Sequence, residues 1–262
     1  MENFELEMGK AVAEVSKDVA EDIIRPTSQS IGNNLGLFVD GVMGWLGFWG
    51  EKQKIKRAVY LEEYKCKITE NVLGIPEENL IEPPTRIVGP AIEASKYFIE
   101  EEYCRDMFAK LIASSCDLSV SNAVHPSFPE IIKQLTPLDA RFLALFKRFG
   151  TYPAVELTEE HKDKKVTPFP NMLFDFKEAE QQFDHREQLE LTKTIENLSR
   201  FGLLSKNTAV LELNFDYDRF KEHWLYKGIM PLLDEGSTIK MKKYRLELTQ
   251  LGKDFLRCCV AD

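Results

Sequence analysis

The chain has 262 residues, of which 44% are hydrophobic and 29% charged, a length and balance that allow two domains with buried cores and exclude wholesale disorder. Its formal net charge of −9 repels nucleic-acid phosphates and anionic lipids at long range, so contact with either requires a local basic patch. The five cysteines form no Cys-x-x-Cys pair, and the first residues lack the basic and apolar regions of a secretory signal. These features predict a cytoplasmic protein with reduced thiols.

The first 50 residues combine an amphipathic helical pattern, at 3–24, with an unusual apolar segment, at 31–50. As a helix, this segment would reach about 28 Å, close to the about 30 Å of a bilayer core. Asn33, Asn34 and Asp40 are, however, costly in hydrocarbon. Three interpretations stay open: a buried core segment, a membrane-binding or pore-forming element, and an oligomer contact. The candidate membrane or oligomer contacts are Leu37, Phe38, Trp45, Phe48 and Trp49.

Apolar side chains continue at helical spacing after this segment and predict that a first domain, residues 1–135, is all helical. The next predicted helices cover residues 51–71, 91–98 and 101–118. Ser127 and Glu130 have the spacing of a capping box, which predicts a further helix that ends at Leu135.

The second predicted domain, residues 136–262, has the element order of a winged helix. Thr136 and Asp139 form another capping box, with Pro137 at the first helical position, and predict a helix that ends at Gly150. The next predicted elements are a strand at 154–157, a polar loop with one or more helices, and a longer helix at 188–201. Two alternating strands follow at 209–215 and 244–248, and a capped final helix begins at 249. An insertion at about 216–240, longer than an ordinary wing tip, is expected to contain a short helix. The predicted fold class is therefore mainly α, with a helical N-terminal part followed by a winged-helix-like α+β module that contains a small antiparallel β-sheet.

Charge weighs against DNA reading by this module, although a winged helix can place its second helix in the major groove. The predicted recognition helix is nearly neutral, with Arg186, Lys193 and Arg200 set against Glu187, Glu190 and Glu196. The candidate nucleic-acid contacts are the basic cluster Lys240, Lys242, Lys243 and Arg245. A solvated strand face explains this cluster more simply than nucleic-acid contact does. Protein interaction is therefore the preferred function of the module, with a DNA-binding regulator as the alternative.

No local motif in the sequence indicates a catalytic, cofactor or metal site. His125 precedes a proline and has no partner that the sequence can assign to it, so a role in a turn is favoured over catalysis. The other histidines lie in charged segments or beside a tryptophan, at His161, His185 and His223. Glu159 and Glu160 are typical of a solvated helix start, and no phosphate-binding glycine motif is present. The sequence predicts a protein that is not an enzyme, without a cofactor, a metal or a small-molecule substrate.

Two segments resemble the bacterial abortive-infection alpha family, long catalogued as a domain of unknown function. They read IEPPTRIVGPAIEASKYFIEEEYCRDMFAKLIASSCD and VHPSFPEIIKQLTPLDARFL. The resemblance covers about residues 15–205, and the turn at 125–128 with the following EIIKQLTPLDA is its most specific part. It implies a cytoplasmic protein of phage defence, without a known reaction or catalytic residues. We therefore expect a non-enzymatic defence effector or regulator that acts through a protein partner or self-association, with membrane binding or permeabilisation at the inner face of the membrane as one of the open roles of residues 31–50.

Overall fold

The computed structural model describes residues 55–174, 182–212 and 215–260. The predicted helix at 3–24 and the apolar segment at 31–50 lie outside the described residues. So do the candidate contacts Leu37, Phe38, Trp45, Phe48 and Trp49. The described residues form two compact units, one of 55–134 with 257–260 and the other of 135–256.

The first unit is built from helices around an apolar core. Its helices are α1 (Ile55–Leu73), α2 (Thr85–Phe98), α3 (Glu102–Ser115) and α4 (Phe128–Ile132), with 3₁₀ turns at Glu77–Asn79 and Ser121–Ala123. Helix α3 packs against α1, α2 and α4, and its Phe108, Leu111 and Ile112 are fully buried. The helical pattern predicted for this part of the chain is confirmed within the described residues.

The two predicted capping boxes have different outcomes. At Thr136, the hydroxyl accepts from the amide of Asp139 at 3.1 Å, and the Asp139 carboxylate accepts from the amide of Thr136 at 2.9 Å, as predicted. The box at Ser127 is wrong, because the Ser127 hydroxyl lies 2.7 Å from Nδ1 of His125 and makes no cap hydrogen bond. Glu130 instead pairs with Lys133. Helix α4 also ends earlier than predicted, at Ile132 and not at Leu135.

The second unit contains helices and one antiparallel sheet. Its elements are α5 (Pro137–Phe149), β1 (Thr151–Glu160), β2 (Val166–Phe174), α6 (His185–Arg200), β3 (Leu204–Asn207), α7 (Trp224–Ile229), β4 (Thr238–Leu248) and α8 (Gln250–Cys259), with 3₁₀ turns at Tyr217–Glu222 and Met230–Leu232. The last residues of α8 belong to the first unit. The sheet has the order β2-β1-β4-β3, and every neighbouring pair is antiparallel. The prediction of a helix-rich chain with a small antiparallel sheet is confirmed.

Two strands differ from the sequence prediction for identifiable reasons. Strand β2 falls where a loop and helix were expected, because Pro168 and Pro170 suggest a loop but are tolerated at the edge of a sheet. The strand predicted at 209–215 is instead the short β3. It ends at Asn207, whose side-chain oxygen accepts from the amides of Ala209 and Val210 at 3.0 and 3.1 Å and bends the chain.

Both faces of the sheet are covered within the second unit. On one face, Tyr152 and Phe174 contact the aromatic rings of α5, with 4.8 Å between the centroids of Phe174 and Phe142. The other face is covered by the insertion, residues 215–237, which contains a short helix, as predicted. Five buried side chains form a second small core there: Val155, Leu157 and Leu173 from the sheet, and Tyr217 and Phe220 from the insertion.

The end of α6 is joined to the start of α8 by a close backbone approach. Gly202 has a φ of +70°, and the amides of Gly202 and Leu203 donate to the carbonyls of Ser199 and Leu198, which closes the helix. A Cβ atom at Gly252 would lie 2.0 Å from the carbonyl oxygen of Leu203. Only glycine therefore fits at position 252 without a shift of the backbone.

The contrast between the two caps gives a stability prediction. Thr136→Ala removes a cap hydrogen bond and is expected to lower the free energy of unfolding by about 1 kcal/mol. Ser127→Ala is the matched control and should change it by less than about 0.5 kcal/mol, since its hydroxyl caps no helix. Urea unfolding followed by circular dichroism measures both. Equal effects of the two substitutions would contradict the assignment.

Candidate functional site

Strand β4 separates the four candidate nucleic-acid contacts onto opposite faces of the sheet. Side chains alternate along a strand, so Lys240 and Lys242 share a face with Tyr244, whereas Lys243 and Arg245 lie on the face that carries the insertion. Each of the four also contacts another side chain. Lys240 pairs with Glu160 at 3.2 Å, Arg245 with Glu247 at 2.6 Å, and the Nζ atoms of Lys242 and Lys243 lie 5.0 and 5.5 Å from the ring centroids of Tyr244 and Tyr217. The cluster does not form one continuous basic surface.

The start of α6 is contacted by the insertion. The ring of Trp224 lies 4.9 Å from that of His185, and its Nε1 donates to the side-chain oxygen of Gln188 at 2.9 Å. In a DNA-reading winged helix, the N-terminal residues of this helix would face the bases. Four of the six charged side chains named for this helix have partners: Glu187 pairs with Arg141, Lys193 with Glu190, and Arg200 with Asn197.

His223 fixes the turn that begins α7. Its side chain is buried, and Nδ1 accepts from the amide of Leu225 at 3.1 Å. Burial, together with the nearby His185, lowers the pKa of His223 from 6.5 to about 4. The imidazole is therefore neutral at physiological pH and acts as a helix cap.

An exposed apolar surface lies in the last part of the insertion. Leu225 and Ile229 of α7 pack against the small core, whereas Met230 and Leu232 expose 49% and 77% of their surfaces. These two residues and the exposed Pro231 form the apolar tip, residues 230–232. A contiguous apolar surface on a folded element is typical of an interaction site.

A histidine and two carboxylates meet where the β1–β2 turn approaches the insertion. Nδ1 of His161 lies 3.7 Å from Oε1 of Glu159 and 3.2 Å from Oδ2 of Asp234. The Glu159 oxygen also accepts from the amide of Asp234 at 2.9 Å. In the described part of the chain, these residues form the group whose ligand atoms could hold a metal ion, with all three atoms within 4.8 Å of one another. We call Glu159, His161 and Asp234 the His161 cluster.

The structure corrects the interpretation of the Glu159-Glu160 pair. These residues end strand β1 and do not start a helix, and Glu159 is buried. The amide of Asp234 donates to the Glu159 carboxylate and holds its pKa below the ordinary value, an effect that the Ser237 hydroxyl and His161 reinforce. The spacing of Glu159 and His161 was visible in the sequence. Asp234 joins them only through the fold, because it lies on the insertion.

His125 and two of the cysteines, Cys104 and Cys116, have structural roles. His125 lies in an exposed turn, with Nδ1 next to the Ser127 hydroxyl and its ring 5.9 Å from that of Phe128. Burial raises the pKa values of the Cys104 and Cys116 thiols to about 12, which keeps both protonated. None of the described helices is long and apolar enough to cross a membrane.

The described chain is thus a helical unit joined to a unit with a small antiparallel sheet and a long insertion. The sequence pattern of the abortive infection alpha family matches residues 56–259, so the chain belongs to that family. The predicted family is confirmed. The match begins later than the predicted range of residues 15–205 and extends further, through the sheet-containing unit.

Other comparisons add little. No curated protein matches the chain. A solved structure described as an uncharacterized protein from the hydrocarbon-degrading marine bacterium Alcanivorax borkumensis SK2 is similar over 53% of this chain and 92% of that chain, with 13% identity and a TM-score of 0.34. A similarity this weak supports no inference about fold or function.

The buried His223 predicts a loss of stability in mild acid. Between pH 6.5 and 4 the unfolded chain takes up a proton that the folded chain excludes, so the folded state loses stability as the pH falls. His223→Asn keeps a cap and removes this titration. Urea unfolding at pH 7 and 4.5 should show that the wild type loses about 2.5 kcal/mol more than His223→Asn. Equal losses would show that His223 does not stay neutral in the folded chain.

Proposed function

We propose that this protein is a non-enzymatic effector or regulator of abortive infection, which binds a protein partner through the apolar tip. Membership of the abortive infection alpha family supports the defence role. The exposure of Met230 and Leu232 on a well-packed insertion is the observation that carries the partner role. Apolar anchors at the centre of an interface contribute most of the binding energy of many complexes.

The insertion is suited to partner binding because its base is fixed to the sheet. The Tyr217 hydroxyl donates to the carbonyl of Tyr244 at 2.8 Å, and Phe220 is fully buried in the small core. Trp224 and His223 hold the start of α7. A rigid element that presents apolar side chains loses little conformational entropy when it binds.

The absence of enzymatic activity is part of this proposal. A hydrolase of the triad type needs a nucleophile, a base and an orienting group in one site. The buried thiols with raised pKa values, the turn at His125 and the capping role of His223 support structural roles for these groups.

A DNA-binding regulator is the second candidate, and the strand order favours it. Helix α5, β1, α6, β3 and β4 follow one another as in a winged helix, and β4 lies between β1 and β3. Three features weigh against DNA reading: the additional strand β2, the contact of Trp224 at the start of α6, and the division of the basic residues between two faces. We therefore place a winged-helix-like interaction module ahead of a DNA reader.

Membrane contact through residues 31–50 stays a prediction from the sequence.

Phage protection by the full chain tests the partner proposal. Met230→Asp combined with Leu232→Asp places two charges in the contact and should reduce protection, read as efficiency of plating on a phage panel, by at least about tenfold. The variant should keep its melting temperature, because both side chains are exposed.

The matched control is Leu73→Asp combined with Leu118→Asp. These two exposed apolar residues belong to the first unit and not to the insertion, so protection should be retained. Full protection by the tip variant, or an equal loss in the control, would contradict the proposal. Loss of protection in Lys242→Glu combined with Lys243→Glu, with the tip variant active, would favour the DNA reader.

A further inference from the structure

The His161 cluster links two parts of the second unit that are distant in the sequence. Glu159 is near the end of β1, His161 begins the turn to β2, and Asp234 lies two residues after the apolar tip. We propose that this cluster binds a divalent transition-metal ion, of the Zn²⁺ or Mn²⁺ class, and that the ion fastens the insertion to the β1–β2 turn.

The ligand set and its spacing fit such an ion. One imidazole with two carboxylates suits zinc and manganese better than calcium, which prefers oxygen ligands alone. The separations of 3.2 and 3.7 Å from His161 Nδ1 to the two carboxylate oxygens bracket the edge of a tetrahedron with ligands at about 2.05 Å, which is about 3.3 Å. Two of the three distances between the ligand atoms therefore already suit a bound ion.

The surrounding hydrogen bonds orient the imidazole as in known metal sites. Nε2 of His161 lies 2.9 Å from the Thr167 hydroxyl, which can accept a hydrogen bond from Nε2–H. The Nδ1 lone pair is then directed at the two carboxylates. The Ser237 hydroxyl lies 3.3 Å from Nδ1. The Asp234 amide fixes the Glu159 carboxylate in turn. This is more orientation than a surface ion pair receives.

Charge and exposure indicate a structural clamp. Two carboxylates meet at this cluster, and a divalent ion would neutralise the charges of both. The side chains of His161 and Asp234 expose 21% and 77% of their surfaces, so water can complete the coordination. Lys162, whose side chain crosses the Gly236 turn, sets a positive charge nearby and reduces the affinity.

Metal titration of the untagged full chain tests the site. After treatment with a chelator and dialysis, Zn²⁺ or Mn²⁺ is added during isothermal titration calorimetry, and the bound metal per chain is measured by mass spectrometry. We expect one saturable ion per chain and a raised melting temperature. Asp234→Asn changes an exposed side chain and keeps the backbone amide, and His161→Ala removes the imidazole. Both should weaken binding by about a hundredfold.

His125→Ala is the matched control, since this exposed histidine lies in the first unit and should leave the titration unchanged. Absence of saturable binding of both ions, or unchanged binding in Asp234→Asn and His161→Ala, would overturn the proposal. Circular dichroism of each metal-free variant confirms that it is folded. The effect of the ion on partner binding rests on the proposed function. The titration itself requires no partner or phage, so the two proposals can fail separately.

Discussion

Ten consecutive residues of β1 pair with β4, and this ladder joins the first strand of the second unit to its last strand. Because side chains alternate, one register directs Tyr244 and Leu246 toward the helices and Ile239 and Met241 toward the insertion. A slip by one residue would exchange the two sets and bury lysines on both faces. The small core, the base of the insertion and the presentation of the apolar tip all depend on this register.

The alternation of side chains along these strands sets the chemistry of the surface. It divides Lys240 and Lys242 from Lys243 and Arg245, so these residues do not form the continuous basic patch that phosphate binding requires. It also places Glu159 on the side of the sheet where the insertion supplies Asp234. The second unit thus has two features, an exposed apolar surface on the insertion and a histidine–carboxylate cluster where the insertion meets the β1–β2 turn.

The sequence predicted what local chemistry determines. The Thr136 cap and the helical spacing of the first unit both depend on residues close together in the chain, and the structure contains them. The errors have local causes too. Ser127 had a competing partner in His125, and the prolines of β2 concealed an edge strand.

What the sequence could not predict is long-range pairing. Asp234 is 75 residues from Glu159, and no spacing rule connects them. The covering of the second sheet face was likewise hidden, because the apolar side chains of the insertion are compatible with a solvent-exposed wing as well as with a core. Such contacts follow from the ladder and not from any one segment.

The register of β1 on β4 can be measured directly by nuclear Overhauser contacts between backbone protons in the isotope-labelled full chain. We expect cross-strand contacts that place Val155 opposite Lys243 and Leu157 opposite Met241. Contacts that place Leu157 opposite Lys240 or Lys242 would shift every side chain of β4 to the other face. That result would contradict both the small core and the arrangement of the insertion.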